Sequence, residues 1–449
     1  MSVITRLPVR PVPSPRGLEH LRVMRCAASY PNEVVWRLYQ RYGPVFSFGF
    51  GPVRFIWLVG EEAGRLIYQE RPKDFTLRRA YSFLHPITGD TALITSDGEA
   101  HRERRKLVQP AFYPKRLDAA FTVVAAHAKR LADDLATAKN VDFHREVRPR
   151  VLAASCEILL GQATLNRYPH LVDAVAAMMD FANLPFLAQQ LKLALPGTSW
   201  RRFVRARRAA DAMLYGEIAR RRQGLSVPRD DVLSMLLEAK DEEGRGLSER
   251  EIRNQSLSLL SAGFDTTSAT LSWIIYTLLS RPELYAGLYQ HLEVTAGRLE
   301  PQHLKALPQL DWLLKETLRL YPAAPAALRR AETEIAFQGY TIAKGSLVAF
   351  SIYATHRLAH LYHDPLSFKP ERWGPLGGNQ PSPYAYLPFG GGTRYCIGAG
   401  LASLMIKVFV VTLLQRLKLE PAWTRPVAET GNTVQPRGGL PVTVTPLTD

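Results

Sequence analysis

The stretch Phe389-Gly390-Gly391-Gly392-Thr393-Arg394-Tyr395-Cys396-Ile397-Gly398 narrows the fold of this chain more than any other. A glycine-rich loop ends in a cysteine, and an apolar run from Leu401 to Val411 follows at once. That run reads as a buried helix. A cysteine on the N-terminal side of a helix faces unpaired amides and the positive end of the dipole, and both favour thiolate over thiol. Successive glycines open backbone conformations closed to other residues and let the main chain approach a large flat partner. Arg394 offers a planar fork of donors for a carboxylate.

Thiolate, bare backbone and carboxylate binder together suit a haem, with iron on Cys396, ring against glycine and propionate on Arg394. A Cys-x-Gly alone also fits a plain turn before a helix, with an inert buried cysteine. The full pattern Phe-x-x-Gly-x-Arg-x-Cys-x-Gly resembles the haem-ligand signature of the cytochrome P-450 family. The resemblance implies that Cys396 is the iron ligand and that Phe389, Gly390, Arg394 and Gly398 shape the haem loop.

Other segments test it. Ser248 and Glu251 form a capping box, and Arg281-Pro282 stops the helix that follows. About 32 residues at about 1.5 Å each give roughly 48 Å, enough to cross a molecule of this size. The middle of that helix, Ala262-Gly263-Phe264-Asp265-Thr266-Thr267, sets glycine, an acid and hydroxyls in an otherwise apolar sequence. Gly263 costs about 1 kcal/mol against alanine, and a buried Asp265 costs more unless paired. A locally unfavourable patch in a core helix points to a functional site. A kink-tolerant helix with a back-bonded threonine is the structural alternative.

This patch resembles the family's oxygen-activating motif. There Ala262 and Gly263 would leave room for dioxygen, while Thr266 and Asp265 would manage protons. His101 and Arg105, spaced i, i+4, share one helix face, and the resemblance makes both propionate ligands. Arg329 matches a further propionate ligand, with adjacent Arg330 as the alternative. Glu316-x-x-Arg319 and Arg372 match the family's structural Glu-Arg-Arg cluster behind the haem. Candidate pocket residues are Phe83, Leu84, Phe181, Leu184, Ala326, Ala327 and Val434, with Phe186 and Leu187 along the entrance.

The implied architecture is mainly α with a small β region, one P-450 domain over residues 1–449. The haem, heme b (iron protoporphyrin IX), would lie between the helices at 248–281 and 398–417. Residues 1–30, with Pro8, Pro11, Pro13 and Pro15, read as an extended N-terminal strap; residues 31–42 read as an amphipathic helix and Val45 to Val59 as a hairpin.

Composition bounds the rest. Three cysteines make no disulfide framework, which fits a reducing cytoplasm. No apolar run reaches the roughly 20 residues of a membrane span, and the first residues lack the apolar core of a secretory signal. These features predict a soluble cytoplasmic protein. The net charge of +16 is compatible with an acidic protein partner or an anionic membrane. No nucleic-acid motif accompanies it.

The resemblance implies a haem-thiolate monooxygenase of bacterial type, working in secondary metabolism. Such an enzyme puts one atom of O2 into a lipophilic small molecule. Electrons would come from an acidic ferredoxin or flavodoxin docked near Arg102, Arg104 and Lys106. Alternatives are a peroxide-driven or isomerase-type enzyme on the same fold and a non-enzymatic haem-thiolate sensor.

Overall fold

The Ser248 hydroxyl accepts from the Glu251 N–H at 3.3 Å, and the Glu251 carboxylate accepts from the Ser248 N–H at 3.1 Å. This reciprocal cap starts the longest helix, 31 residues from Glu249 to Leu279. It stops just ahead of Arg281-Pro282, where proline disfavours helical backbone in the residue before it. The computed structural model describes residues 10–182, 184, 195, 197–225, 230–292, 299–375, 377, 381–425, 427, 429–430 and 433–447.

Among the described residues, the helices of ten residues or more are α1 (Gly17–Ala27), α2 (Pro31–Tyr42), α3 (Gly98–Val108), α4 (Pro114–Ala136), α5 (Phe143–Leu160), α6 (Leu171–Ala182), α7 (Ser199–Arg222), α8 (Glu249–Leu279), α9 (Pro282–Leu292), α10 (Pro308–Leu320) and α11 (Ala399–Arg416). The strands are short: β1 (Val45–Phe48), β2 (Phe55–Leu58), β3 (Phe75–Thr76), β4 (Asn140–Asp142), β5 (Ala326–Ala331), β6 (Ile335–Phe337), β7 (Tyr340–Ile342), β8 (Leu347–Ser351), β9 (Leu417–Pro421), β10 (Glu429–Thr430), β11 (Gln435–Pro436) and β12 (Pro441–Pro446). The fold is therefore mainly α with a small β region, as the sequence implied.

The largest sheet has the order β1-β2-β8-β5-β3. Only β2 and β8 run parallel in it, with Phe55 opposite Leu347 and Leu58 opposite Phe350. The hairpin expected over Val45–Val59 is present, with Val45 facing Leu58. The expected N-terminal strap is corrected, because Gly17–Ala27 is helical. Leucine and methionine at Leu18, Leu21 and Met24 favour a helix once the proline-rich residues end at Pro15. Val23, Met24 and Ala27 pack beside α2.

Two hydrophobic cores meet on α8. Its first half, including Ile252, Leu257, Leu260 and Phe264, packs with α5, α6 and α7. Its second half, Leu271 to Leu279, packs with α4, α10 and α11. The sequence Ala262-Gly263-Phe264-Asp265-Thr266 lies at the seam. Among the described residues one helix, α11, is long and apolar enough to cross a membrane by length and composition. Its Val408, Phe409, Val411 and Leu413 are wholly buried in the core.

Candidate active site

Along α8, Leu259, Gly263 and Thr266 are half-buried and Ala262 is exposed, whereas every residue from Thr267 to Leu279 is buried. The spacing i, i+3, i+4, i+7 makes these four a single stripe on one helix face. Together with half-buried Ser261, this stripe keeps accessible surface in the middle of a core helix. A Cβ built at Gly263 meets no atom within 4 Å, and the same holds at Gly398. Cys396 borders open space as well, since its side chain is accessible. It nevertheless lies deep enough that burial pushes its thiol pKa up, outweighing the Gly398 N–H and Arg105, which pull it down. The expectation that the helix terminus alone favours thiolate is thus corrected. Coordination to a metal, which takes the deprotonated sulfur, would reverse that balance.

The glycines of the loop serve a neighbour the sequence did not reveal. Gly390 and Gly392 have φ of +68° and +54°. A Cβ at Gly392 would come within 2.7 Å of the Tyr68 carbonyl, and one at Gly391 within 3.2 Å of the Tyr68 ring. Tyr68, from the turn at Leu66–Glu70, therefore packs directly on the loop and needs it bare.

Beside the open space stand three arginines and a histidine. His101 and Arg105 lie on α3, Arg329 on β5 and Arg394 on the cysteine loop. Burial pulls Arg394 down to about 10, and Arg329 and Arg105 add to that pull through repulsion. His101 is buried, and burial with Arg394 and Arg105 nearby lowers it to about 4. Against these charges the described residues offer Asp97, which accepts from Arg394 Nη2 at 2.8 Å and from the Leu77 and Arg78 N–H groups. Arg105 has no ion pair among the described residues. Like charges held together this closely call for anionic oxygens, and two propionates supply them. The residues present therefore fit a haem.

Strand alternation sends the side chains of Arg329 and Arg330 to opposite faces of β5. Arg329 is buried, with its guanidinium 5.3 Å from the Tyr68 ring centroid. Arg330 points the other way, to Glu332 at 2.8 Å. By the same alternation Ala326 and Ala327 face opposite sides, and Ala327 shares Arg329's face. Ala327 is buried, as are Phe181 and Val434. Phe181 stacks 4.6 Å from Phe203 and lies 5.5 Å from Trp200. The Val434 carbonyl accepts from Trp273 Nε1 at 2.9 Å. Phe181, Ala327 and Val434 belong to the apolar cores. Phe83, Leu84, Leu184 and Ala326 keep accessible surface. Phe186 and Leu187 lie outside the described residues.

Asp265 is buried and paired. Arg148, on α5, donates to its Oδ1 at 2.9 Å and reaches Asp180, at the exposed end of α6, at 3.3 Å. The Arg148 guanidinium also lies 4.9 Å from the Phe264 ring centroid. A buried acid signalled that a cation must exist, but 57 lysines and arginines were candidates. The Thr266 hydroxyl donates to the Ala262 carbonyl at 2.7 Å, leaving its lone pairs free to accept.

Behind the cysteine loop, Arg319 is fully buried and uses every donor. Its Nε and Nη2 grip Glu316 at 2.9 and 2.8 Å, while the carbonyls of His356, Pro365 and Ser367 take the rest at 2.9, 2.6 and 2.9 Å. Arg372 Nε completes the expected cluster, 3.0 Å from Glu316 Oε1. Lys369 N–H and Trp373 Nε1 also donate to Glu316. Burial raises the Glu316 pKa, but these donors and charges hold it below the ordinary value.

The sequence model for cytochrome P450 matches residues 11–440. The chain belongs to the cytochrome P450 family. A Mycobacterium tuberculosis protein described as putative cytochrome P450 139 is 32% identical, over 87% of this chain and 92% of its own length. Mouse lanosterol 14-alpha demethylase is 28% identical, over 86% and 77%. Among solved structures, a retinoic acid-bound cyanobacterial CYP120A1 superposes with a TM-score of 0.87 at 28% identity, covering 97% of this chain and 99% of that one. Members of the family are haem-thiolate monooxygenases that bind heme b, and this P450 is accordingly an oxidoreductase of that class.

Proposed function

We propose that this P450 hydroxylates or epoxidises a lipophilic small molecule, with electrons from a separate acidic ferredoxin or flavodoxin. The observation that supports the reading is the partly open stripe of Leu259, Ala262, Gly263 and Thr266 in the core helix α8, together with an accessible Cys396 and open space at Gly263 and Gly398. Its aliphatic surface suits an apolar substrate, and the relatives named for lanosterol and bound to retinoic acid handle lipophilic molecules. A place in the bacterial cytoplasm, among enzymes of secondary metabolism, belongs to the same proposal and draws on the mycobacterial relative.

Cys396 would hold the iron, and His101, Arg105, Arg329 and Arg394 the propionates. Haem bound there supplies thiolate-assisted cleavage of the O–O bond. Thr266 Oγ1 accepts at the open face of α8 and fixes a proton carrier beside Gly263. Asp265 holds its place through Arg148, which spans from the buried acid to surface-exposed Asp180. Arg148 stays charged and passes no proton itself, so its part is to hold Asp265 at the inner end of a line of acids that reaches the surface. Glu316, Arg319 and Arg372 act as scaffold.

On the donor face, Arg102 pairs with Glu99, Arg104 with Glu251 and Lys106 with Glu242. Arg104 is drawn inward, so Arg102 and Lys106 are the cations a donor meets.

Thr266→Ala tests the reading. Expected is electron consumption that no longer yields product, with substrate binding retained. Unchanged turnover would exclude oxygen activation by this patch and leave the peroxide-driven or isomerase reading.

A further inference from the structure

His356 is wholly buried and makes two ring contacts in opposite directions. Its Nδ1 lies 3.2 Å from the Arg319 carbonyl, and its Nε2 lies 3.0 Å from the Leu387 N–H. A carbonyl can only accept and an N–H can only donate, so the partners fix the tautomer: neutral, with hydrogen on Nδ1. The ring stacks 5.3 Å from Tyr386, at 21° between planes. Its own carbonyl accepts from Arg319 Nη1 at 2.9 Å.

Leu387 opens the cysteine loop. Its carbonyl accepts from the Gly390 N–H at 3.0 Å, and the Phe389 carbonyl accepts from the Cys396 N–H at 2.8 Å. Two further ties hold the same loop, Tyr386 Oη to the Lys315 carbonyl at 3.0 Å and Tyr362 Oη to the Ala385 carbonyl at 2.9 Å. Both of those engage the segment by flexible phenol hydroxyls. The imidazole is rigid, closed on both sides, and the member of the three that binds a loop N–H.

We propose that His356 is a positioning residue for the iron ligand: through the Leu387 N–H it sets the height of the Cys396 loop against α10. Its role is distinct from that of Glu316 and Arg319, which hold the scaffold to which His356 refers the loop. The inference rests on Cys396 being the ligand.

Two variants test it, compared with wild type as the reduced carbonyl complex. His356→Phe keeps the ring and removes both bonds. His356→Gln restores a donor and an acceptor at a similar separation on one amide. Expected for His356→Phe is a roughly tenfold faster loss of the thiolate-type Soret band and a shifted reduction potential, the size set by one buried hydrogen bond. His356→Gln should recover both values.

A His356→Phe protein that loses thermal stability but keeps wild-type band lifetime and potential would overturn the proposal. If that variant does not fold, His356→Gln decides alone: wild-type lifetime supports it and accelerated loss overturns it. Wild-type protein without a thiolate-type band would instead refute Cys396 as ligand, so the two failures are distinguishable.

Discussion

At Arg148 a single guanidinium stands between a buried acid and solvent. Arg148→Met keeps the stem and removes the charge, leaving Asp265 enclosed without its cation. Because Arg148 is itself partly exposed, the expected loss of stability is about 2 kcal/mol, below the range for fully buried pairs. Turnover should fall roughly tenfold while the substrate-induced spectral change is retained, since Arg148 lies on the proton side of α8. Stopped-flow turnover and urea unfolding check the two halves.

Histidine burial sets the pH response. Burial lowers His356 to about 3 and, aided by Arg148, His144 to about 4. Both are therefore neutral when folded but titrate near 6.5 when unfolded. As pH falls below 6.5 the unfolded chain binds protons that the folded chain refuses, so stability declines down to the folded values. Above neutrality neither residue contributes a slope. At about pH 5 the expected loss is about 2 kcal/mol per histidine, measured by urea unfolding at that pH and at about pH 7.5.

Elements are held to α8 by polar side chains of its first turns. Arg253 donates to Asp211 of α7 at 2.6 Å and to the Ile87 carbonyl at 3.0 Å. Asn254 reaches Thr91 Oγ1 at 2.7 Å, and Gln255 binds the Thr91 carbonyl and the Leu93 N–H. One helix terminus thus fastens both α7 and the segment bearing Phe83 and Leu84. Asp211→Asn weakens the first link without disturbing the second. Substrate dissociation should then quicken about threefold to tenfold, as expected for losing one charge-assisted hydrogen bond partly open to water. Spectral displacement kinetics read it, and an unchanged off-rate would show that α7 is held by packing alone. The sequence of residues 76–95 carries no long period because it folds as single short helical turns, Ser82–Leu84, His85–Thr88 and Leu93–Thr95, tied to α8 by these bonds.

Over the whole molecule, +16 charges are spread unevenly between paired and free cations. Arg102 and Lys106 are exposed with carboxylate partners, so a donor must compete with Glu99 and Glu242. Reversing both, Arg102→Glu with Lys106→Glu, should raise the apparent Michaelis constant for an acidic reductant about fivefold at low salt, and less at high salt. Substrate affinity should stay constant. A reductant constant that does not move would place the docking face elsewhere.

The sequence by itself determined the local devices: the Ser248–Glu251 cap, the glycine-cysteine loop, the apolar α11 and the i, i+4 pairing of His101 with Arg105. Each is written in neighbouring residues, within reach of one helix turn or one loop. Tertiary structure alone decided who meets whom across the fold. Arg148 finds Asp265 117 positions away, and Tyr68 finds the glycine loop. Asp97 takes Arg394, and His356 takes Leu387. Burial was equally hidden, because Phe181 and Leu184 read alike as apolar residues while packing covers the first wholly and the second in part. Contacts over such separations depend on how two cores close around α8, and no local pattern of residues encodes that closure.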